Sequence, residues 1–180
     1  MSHFLVAAPM LLCACLPLSL NAEVADADIN GFTVRHTINI AAVREDVYRA
    51  AVHDVGKWWS DDHTMSGVAA NMSIDARPLG CFCETLGDGA GVVHMTVTFV
   101  NPLVMIKLTG GLGPLGLMGV DGNMTWEFDD GEAGTDVTLN YAVGGYMDGG
   151  LNSIASSVDA VLVEQMSRLK AFVEAGSGDE

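Results

Sequence analysis

Two side chains of this sequence combine acid–base chemistry with a place on an apolar strand face. His36 lies in the alternating segment 34–40, and Tyr141 lies in the alternating segment 137–143. An imidazole and a phenol that face one enclosed volume could transfer a proton to a ligand hydroxyl or carbonyl, or orient it. A buried histidine that only stabilises the fold is the competing interpretation for His36. We therefore treat both residues as catalytic candidates and assign neither as a catalyst.

Two cysteines, Cys81 and Cys83, form a C-x-C pair on a predicted strand. Alternate residues of a strand share a face but lie about 6 to 7 Å apart, at the edge of what a disulfide spans. The spacing predicts two buried, inert thiols that face inward, and no disulfide. Because the sequence has no C-x-x-C pair, it indicates neither a zinc ribbon nor a thioredoxin-type redox site.

A hairpin centred on residues 87–91 would pair Glu84 with His94 and Cys83 with Met95 if it closed symmetrically. The first pair would lie on the outer face of the sheet, where a salt bridge contributes about 0 to 1 kcal/mol. The second pair would face inward, together with Val93, Val97 and Phe99.

His63 stands beside Asp61 and Asp62, a combination that could bind a metal ion. No second ligand is spaced to complete such a site, so we expect a solvated loop. The glycines of residues 110–119 lack the Lys-Ser/Thr of a phosphate-binding loop, and neither Gly-x-Ser-x-Gly nor His-Glu-x-x-His occurs. The sequence indicates no metal and no cofactor.

The composition is typical of one folded domain with a substantial core, since 49% of the 180 residues are hydrophobic and 17% are charged. The 23 acidic and 8 basic residues give a net charge of −15. Because nucleic acids are bound mainly through Lys and Arg, this balance argues against a nucleic-acid partner.

An uncharged apolar run from Phe4 to Leu20 precedes small residues at Ala22 and Ala27 that suit cleavage. This pattern predicts an export signal, and the protein would then be periplasmic or secreted. A retained membrane anchor is one alternative, and a cytoplasmic protein with a mis-assigned start is another. We assign residues 1–27 to a signal peptide and short linker, 28–176 to the folded domain, and 177–180 to a disordered tail.

Apolar residues recur at every third or fourth position from Leu151 to Val173, which predicts a long amphipathic helix. Between Phe32 and Tyr146 the sequence favours short strands separated by Gly-rich or acidic turns, with two short helices in residues 43–59. We predict an α+β fold, a curved antiparallel sheet of about seven strands wrapped around the C-terminal helix. The helix carries four charges, so we expect no stable membrane span once the leader is removed.

The inner sheet face and the helix would together enclose an apolar, methionine-rich space. Methionine adapts to irregular shapes, which suits a pocket for flexible apolar ligands, although a solid core is the competing interpretation. The apolar glycine-rich segment 110–119 suits a cover over its opening. The predicted ligand-binding residues are His36, Ile38, Trp59, Met72, Ile74, Cys81, Cys83, Met95, Val97, Phe99, Ile106, Leu108, Met124, Trp126, Leu139, Tyr141, Ile154, Val158, Val161 and Leu162.

Several strings between Phe32 and Ala175 resemble those of the START-related helix-grip superfamily (SRPBCC). They are 47–52 with Trp58-Trp59 downstream, Gly80–Glu84, Gly110–Leu115, Met124–Phe128 with Gly134-Thr135, and Val158–Leu162. The superfamily includes polyketide cyclases and dehydratases, lipid-transfer domains, plant ligand binders and homologues of an activator of a heat-shock chaperone ATPase. It has no shared catalytic signature, so the resemblance implies the fold more than the function.

The resemblance and the apolar residues together imply a carrier or sensor of a small hydrophobic molecule or lipid, with no catalysis required. A cyclase- or dehydratase-like enzyme that uses His36 and Tyr141 is the first alternative. A protein-binding module like the chaperone activators is the second, and the export signal argues against it because those chaperones are cytosolic. A protein partner is not indicated by the sequence.

Overall fold

A long C-terminal helix lies across one face of an antiparallel sheet. The structure is a computed structural model that describes residues 24–176. Within this range eight strands form one sheet in the order β1-β2-β8-β7-β6-β5-β4-β3, and every neighbouring pair is antiparallel. The strands are β1 Val24–Asp28, β2 Gly31–Ile40, β3 Met72–Ile74, β4 Cys81–Gly87, β5 Ala90–Asn101, β6 Met105–Thr109, β7 Gly119–Gly131 and β8 Gly134–Tyr146.

Helices α1 (Arg44–His53) and α2 (Val55–Trp58) follow β2, and α3 (Ala155–Gly176) ends the described chain. The first turn of α1 carries Glu45 and Asp46, where the helix dipole favours negative charge. One stripe of α3 faces the core, as its spacing of three and four residues requires. The buried residues of α3 include Ala155, Asp159, Leu162, Met166, Leu169 and Val173.

The predicted α+β fold, with a curved antiparallel sheet and a long C-terminal helix, is confirmed. One strand was missed: β1, which pairs with β2 and lies, except for Asp28, inside the segment assigned to leader and linker. The rest of the predicted leader and the tail 177–180 lie outside the described residues. Nowhere in residues 24–176 does a helix have the length and apolarity needed to cross a membrane.

The register of β5 changes at His94. Phe82 lies opposite Met95 but Cys83 lies opposite Val93, so His94 is an extra residue in β5. Such a bulge breaks the alternation of faces and re-aims side chains. His94 and Met95 are therefore both buried although they are adjacent. The predicted symmetric pairing of the hairpin is wrong.

A second bulge lies further along β5, where Val97 is opposite Leu108 and Phe99 is opposite Lys107. The extra residue, Thr98, shifts the alternation again. Phe99 is consequently 47% exposed and lies on the outer face, so its predicted inward position is wrong. The inward position predicted for Val93 is also wrong, because this side chain is 63% exposed.

Cys81 and Cys83 form a disulfide, with their Cα atoms 5.4 Å apart. The prediction of two free thiols is therefore wrong. It assumed a regular rise of about 3.3 Å per residue, whereas the two Cα atoms lie closer together than that rise allows. The two cysteines are half-buried on the outer face, and Phe82 and Glu84 face inward in their place.

Candidate functional site

A cavity of about 370 Å³ lies between the first half of α3 and the loops beside it. Its size falls in the range of small-molecule sites, roughly 300 to 1,000 Å³. Three segments supply most of the wall: α3, the glycine-rich loop 110–119, and the loop 62–65. The lining residues are Trp59, Asp62, His63, Thr64, Met65, Met72, His94, Leu112, Gly113, Pro114, Leu115, Met118, Tyr141, Ile154, Ser157, Val158, Val161 and Leu162.

The burial of the lining residues separates an inner end from a mouth. The inner end is formed by buried side chains, namely Trp59, Met72, His94, Leu115, Tyr141 and Leu162. The mouth is formed by exposed residues, namely Asp62, Met65, Pro114, Met118 and Ser157. A ligand would therefore enter between the two loops and the start of α3.

The structure brings only part of the predicted ligand-binding set to this cavity. The members that line it are Trp59, Met72, Tyr141, Ile154, Val158, Val161 and Leu162. A second group is buried in the core outside the cavity lining: His36, Ile38, Met95, Val97, Ile106, Leu108, Met124, Trp126 and Leu139. Ile74 is half-buried and packs against the core. Cys81, Cys83 and Phe99 lie on the outer face and are removed from the candidate site.

The glycine-rich loop is fastened to the sheet by Tyr141. The phenol donates a hydrogen bond to the carbonyl of Gly110 and accepts one from the N–H of Leu112, both at 3.0 Å. Burial raises the pKa of Tyr141 to about 12, so the phenol keeps its proton at neutral pH. The hydroxyl already donates one hydrogen bond and accepts another within the protein. Tyr141 is therefore a positioning residue for the loop.

His36 does not line the cavity. Its Nε2 lies 2.7 Å from Oδ1 of Asp159, and both side chains are buried. This contact joins β2 to α3. The two catalytic candidates, His36 and Tyr141, therefore do not converge on one enclosed volume. The competing interpretation, a histidine with a structural partner, describes His36 here.

His94 supplies a polar group to the cavity wall, and the carboxylate of Glu84 contacts it. The Nε2 of His94 lies 3.1 Å from Oε2 of Glu84, and the two residues are 4% and 1% exposed. The sequence predicted this pair on the outer face, and that placement is wrong because the bulge turns His94 inward. No pattern of alternation could have revealed it, since a bulge changes the phase at one residue.

Both oxygens of the Glu84 carboxylate accept hydrogen bonds from neighbouring groups. It accepts hydrogen bonds from the N–H groups of Met65, at 3.0 Å, and Ser66. Burial alone would raise the pKa of Glu84, but the hydrogen bonds from Ser66, Met65 and His94 together hold that pKa below its usual value. The anion therefore ties the loop 62–66 to β4 and orients the imidazole.

The second ring nitrogen of His94, Nδ1, lacks a partner of this kind in the described residues. No group among residues 24–176 forms a hydrogen bond with the buried Nδ1. The ring is held edge-on by Phe82, with the two ring centres 5.8 Å apart. Gly110 also packs on this bulge, since a Cβ there would meet the carbonyl oxygen of His94 at 2.7 Å. His94 is thus a fixed, unpaired polar group in the wall of an apolar cavity.

Polar side chains next to the mouth also line the cavity, namely His63 and Thr64. Trp59 donates its indole N–H to the carbonyl of His63 at 3.0 Å, and the His63 Nε2 lies 3.2 Å from Oε2 of Glu164. Trp58 is buried in the core and donates to the carbonyl of Ala50.

Within residues 24–176 no three His, Cys, Asp or Glu side chains are grouped to hold a metal ion.

Solved structures of other proteins share this fold, among them the following three. A protein from Chromobacterium violaceum is 20% identical, with a TM-score of 0.57, and the match spans 79% of this chain and 96% of that protein. An uncharacterised protein from Rhizobium leguminosarum is 18% identical, with a TM-score of 0.54 over 81% of this chain and 95% of that one. A protein of unknown function from Staphylococcus aureus is 15% identical, with a TM-score of 0.55 over 83% and 97%.

No protein-family model matches the sequence, and no curated protein matches it either. At identities this low, the solved structures establish the fold alone. The chain therefore has a fold shared with uncharacterised proteins, an antiparallel sheet with a C-terminal helix, compatible with the helix-grip arrangement.

Proposed function

We propose that this protein binds a small apolar molecule or lipid in the cavity beneath α3, as a carrier or sensor that needs no catalysis. The observation that carries the proposal is the cavity itself, about 370 Å³ with a largely aliphatic, methionine and tryptophan wall. Apolar surface that leaves water on binding contributes roughly 25 cal/mol per Å² before the costs of association. A guest of this kind would cover apolar side chains that the sheet and helix leave uncovered.

The cyclase- or dehydratase-like alternative lacks the arrangement it required. It needed His36 and Tyr141 around one substrate, but His36 is paired with Asp159 and Tyr141 fastens the glycine-rich loop. Nothing in the described residues favours the chaperone-activator alternative over the carrier. The carrier proposal stands first because it needs only the cavity.

We place the chain in the START-related helix-grip superfamily as part of this proposal. Support comes from the sequence strings described above and from the order of elements, in which two short helices precede the long run of strands and one long helix ends the described chain. The proposal assigns no ligand, because that superfamily contains carriers, enzymes and chaperone partners.

Export to the periplasm or the exterior is also part of the proposal. The Cys81–Cys83 disulfide supports it, because disulfides persist mainly in oxidising compartments. Cleavage after Ala22 would leave strand β1 intact, whereas cleavage after Ala27 would remove most of it. The intact mass of the protein isolated from cells tests this: we expect a chain that lacks residues 1–22, and a full-length chain would contradict export with cleavage.

Titration calorimetry with 1-methylnaphthalene tests binding directly. This molecule has no polar group and is small enough for the cavity. Val161→Trp would fill the cavity, since Val161 lines it, and Ala160→Trp is the matched control because Ala160 is exposed on the same helix. We expect binding to the wild type and to Ala160→Trp, and none to Val161→Trp. Absence of binding by this ligand and by a panel of apolar alcohols and lipids would overturn the proposed function.

A further inference from the structure

We propose that the Glu84–His94 pair is the polar anchor of the cavity and selects a neutral, apolar ligand that carries a hydroxyl group. This inference rests on the proposed function and adds the chemical class of the ligand. The juxtaposition that carries it is a buried imidazole in the cavity wall whose Nδ1 has no partner in residues 24–176, held by a carboxylate on its other side.

One bulge and two side-chain contacts fix the position of His94. The bulge in β5 turns it inward, the ring of Phe82 packs against it, and Glu84 binds its Nε2. A side chain fixed in this way loses little rotamer freedom when it binds a ligand. The ring is held in one orientation, but its Nδ1 is buried, so a neighbouring side chain must move before a ligand hydroxyl reaches that atom.

The role of Nδ1 follows from the state of Glu84. A carboxylate can only accept hydrogen bonds, so the Nε2 of His94 must carry the proton in the 3.1 Å contact. The Nδ1 of a neutral imidazole is then an acceptor. A buried acceptor without a partner is costly, and a ligand hydroxyl that donates to Nδ1 removes that cost.

The charges around the cavity disfavour an anionic ligand. The Glu84 carboxylate already places one negative charge beside the neutral imidazole, so a ligand carboxylate would add a second, unbalanced negative charge to a buried site. Asp62 lies at the mouth, and the chain carries a net charge of −15. These features separate a neutral alcohol or phenol from a fatty acid.

The position of His94 also orients the ligand. His94 belongs to the buried inner end, as do Met72 and Leu115, and the exposed lining residues are at the mouth. The hydroxyl therefore enters first, and the apolar body lies along Val158 and Val161 of α3. The ligand would be a compact molecule with one donor at its leading end.

Three probes of similar shape test this class: 1-naphthol, 1-methylnaphthalene and 1-naphthoate. Their dissociation constants are measured by calorimetry for wild type, His94→Phe and a matched control, His53→Phe, since His53 is an exposed histidine outside the cavity. For each variant we take the ratio of the dissociation constants of 1-naphthol and 1-methylnaphthalene. A change in the hydrophobicity of the cavity affects both constants and therefore cancels in this ratio. We expect His94→Phe to shift this ratio about tenfold against 1-naphthol, and His53→Phe to leave it unchanged.

Nitrogen-15 spectra of the histidine rings give a second readout that a purely structural role would not change. They require only the wild type, so they remain decisive if His94→Phe does not fold. We expect a protonated Nε2 and an unprotonated Nδ1 in His94, and a shift of the Nδ1 resonance with 1-naphthol but not with 1-methylnaphthalene.

The outcomes separate this inference from the proposed function. Binding of 1-methylnaphthalene without any effect of His94→Phe on the ratio, or tighter binding of 1-naphthoate than 1-naphthol, overturns the hydroxyl anchor and leaves the apolar cavity in place. Failure of these probes and of the panel of apolar alcohols and lipids to bind overturns the proposed function, and the anchor with it. A protonated Nδ1 in the free protein also contradicts the anchor.

Discussion

The Nε2 of His36 lies 2.7 Å from Oδ1 of Asp159, and this buried contact joins strand β2 to helix α3. Asp159→Ala removes the acceptor and leaves a buried ring nitrogen without its partner. We expect the free energy of unfolding to fall by about 1 to 3 kcal/mol, measured by urea denaturation. Ser156→Ala is the control because Ser156 is exposed on the same helix. Equal stability of the two variants would contradict a structural role for His36.

The phenol of Tyr141 should resist ionisation in the folded protein. Burial, followed by the charge of Asp121, raises its pKa from 10.0 to about 12, although the hydrogen bond from Leu112 acts in the opposite direction. Because the folded pKa is the higher one, the contribution of this group is complete below pH 10 and is lost as the pH rises towards 12. Relative to Tyr141→Phe, the wild type should lose about 2 kcal/mol of stability by pH 12. The free energy of unfolding of both proteins is measured between pH 9 and 12 at about one-unit steps. A constant difference between the two proteins over this range would contradict the raised pKa of Tyr141.

Loss of the Glu84 carboxylate should release the loop 62–66. Glu84→Gln cannot accept all the hydrogen bonds from Met65, Ser66 and His94, so we expect a loss of about 1 to 3 kcal/mol at neutral pH. The folded pKa of Glu84 is lowered, so its contribution is present above the ordinary value of 4.5 and is lost as the pH falls below it. The stability gap between wild type and Glu84→Gln should therefore narrow in acid. Glu132→Gln is the control, in an exposed turn, and a gap that does not depend on pH would refute this account.

The disulfide should stabilise the fold only modestly. It joins Cys81 to Cys83 with a sequence separation of 2, so it removes little chain entropy from the unfolded state. The double variant Cys81→Ser/Cys83→Ser should lose about 1 to 2 kcal/mol in urea denaturation, less than the roughly 3 kcal/mol of a 15-residue loop. The reduced wild type provides the control and should match the double variant. Free thiols at both positions in the protein isolated without reductant would show that the disulfide does not form.

Much of the fold was readable from the sequence because its strands alternate cleanly. In β2, every second residue from Phe32 to Ile40 is buried, and α3 buries the stripe that its spacing predicted. Strand β4 was different. Cys81, Phe82 and Cys83 are all apolar, so alternation could not decide which of them faces inward. In the structure Phe82 is the buried residue.

The candidate site was only partly readable for a related reason. The residues of α3 and Tyr141 were found because regular periods place them. His94 was missed because its inward position depends on a bulge, which is a property of strand pairing and not of local sequence. The loop residues Leu112 and Leu115 were predicted as part of a cover but not as ligand contacts, since a loop has no period from which to read a face.

The central claim is that an apolar guest occupies the space between α3 and the glycine-rich loop. The most direct measurement is the two-dimensional amide and indole NMR spectrum of the protein during titration with 1-methylnaphthalene. The account predicts shifts that concentrate at the indole of Trp59 and at the amides of Leu115 and Val161, all in residues that line the cavity. Shifts confined to the outer sheet face near Phe99, or no shifts at saturating ligand, would contradict it.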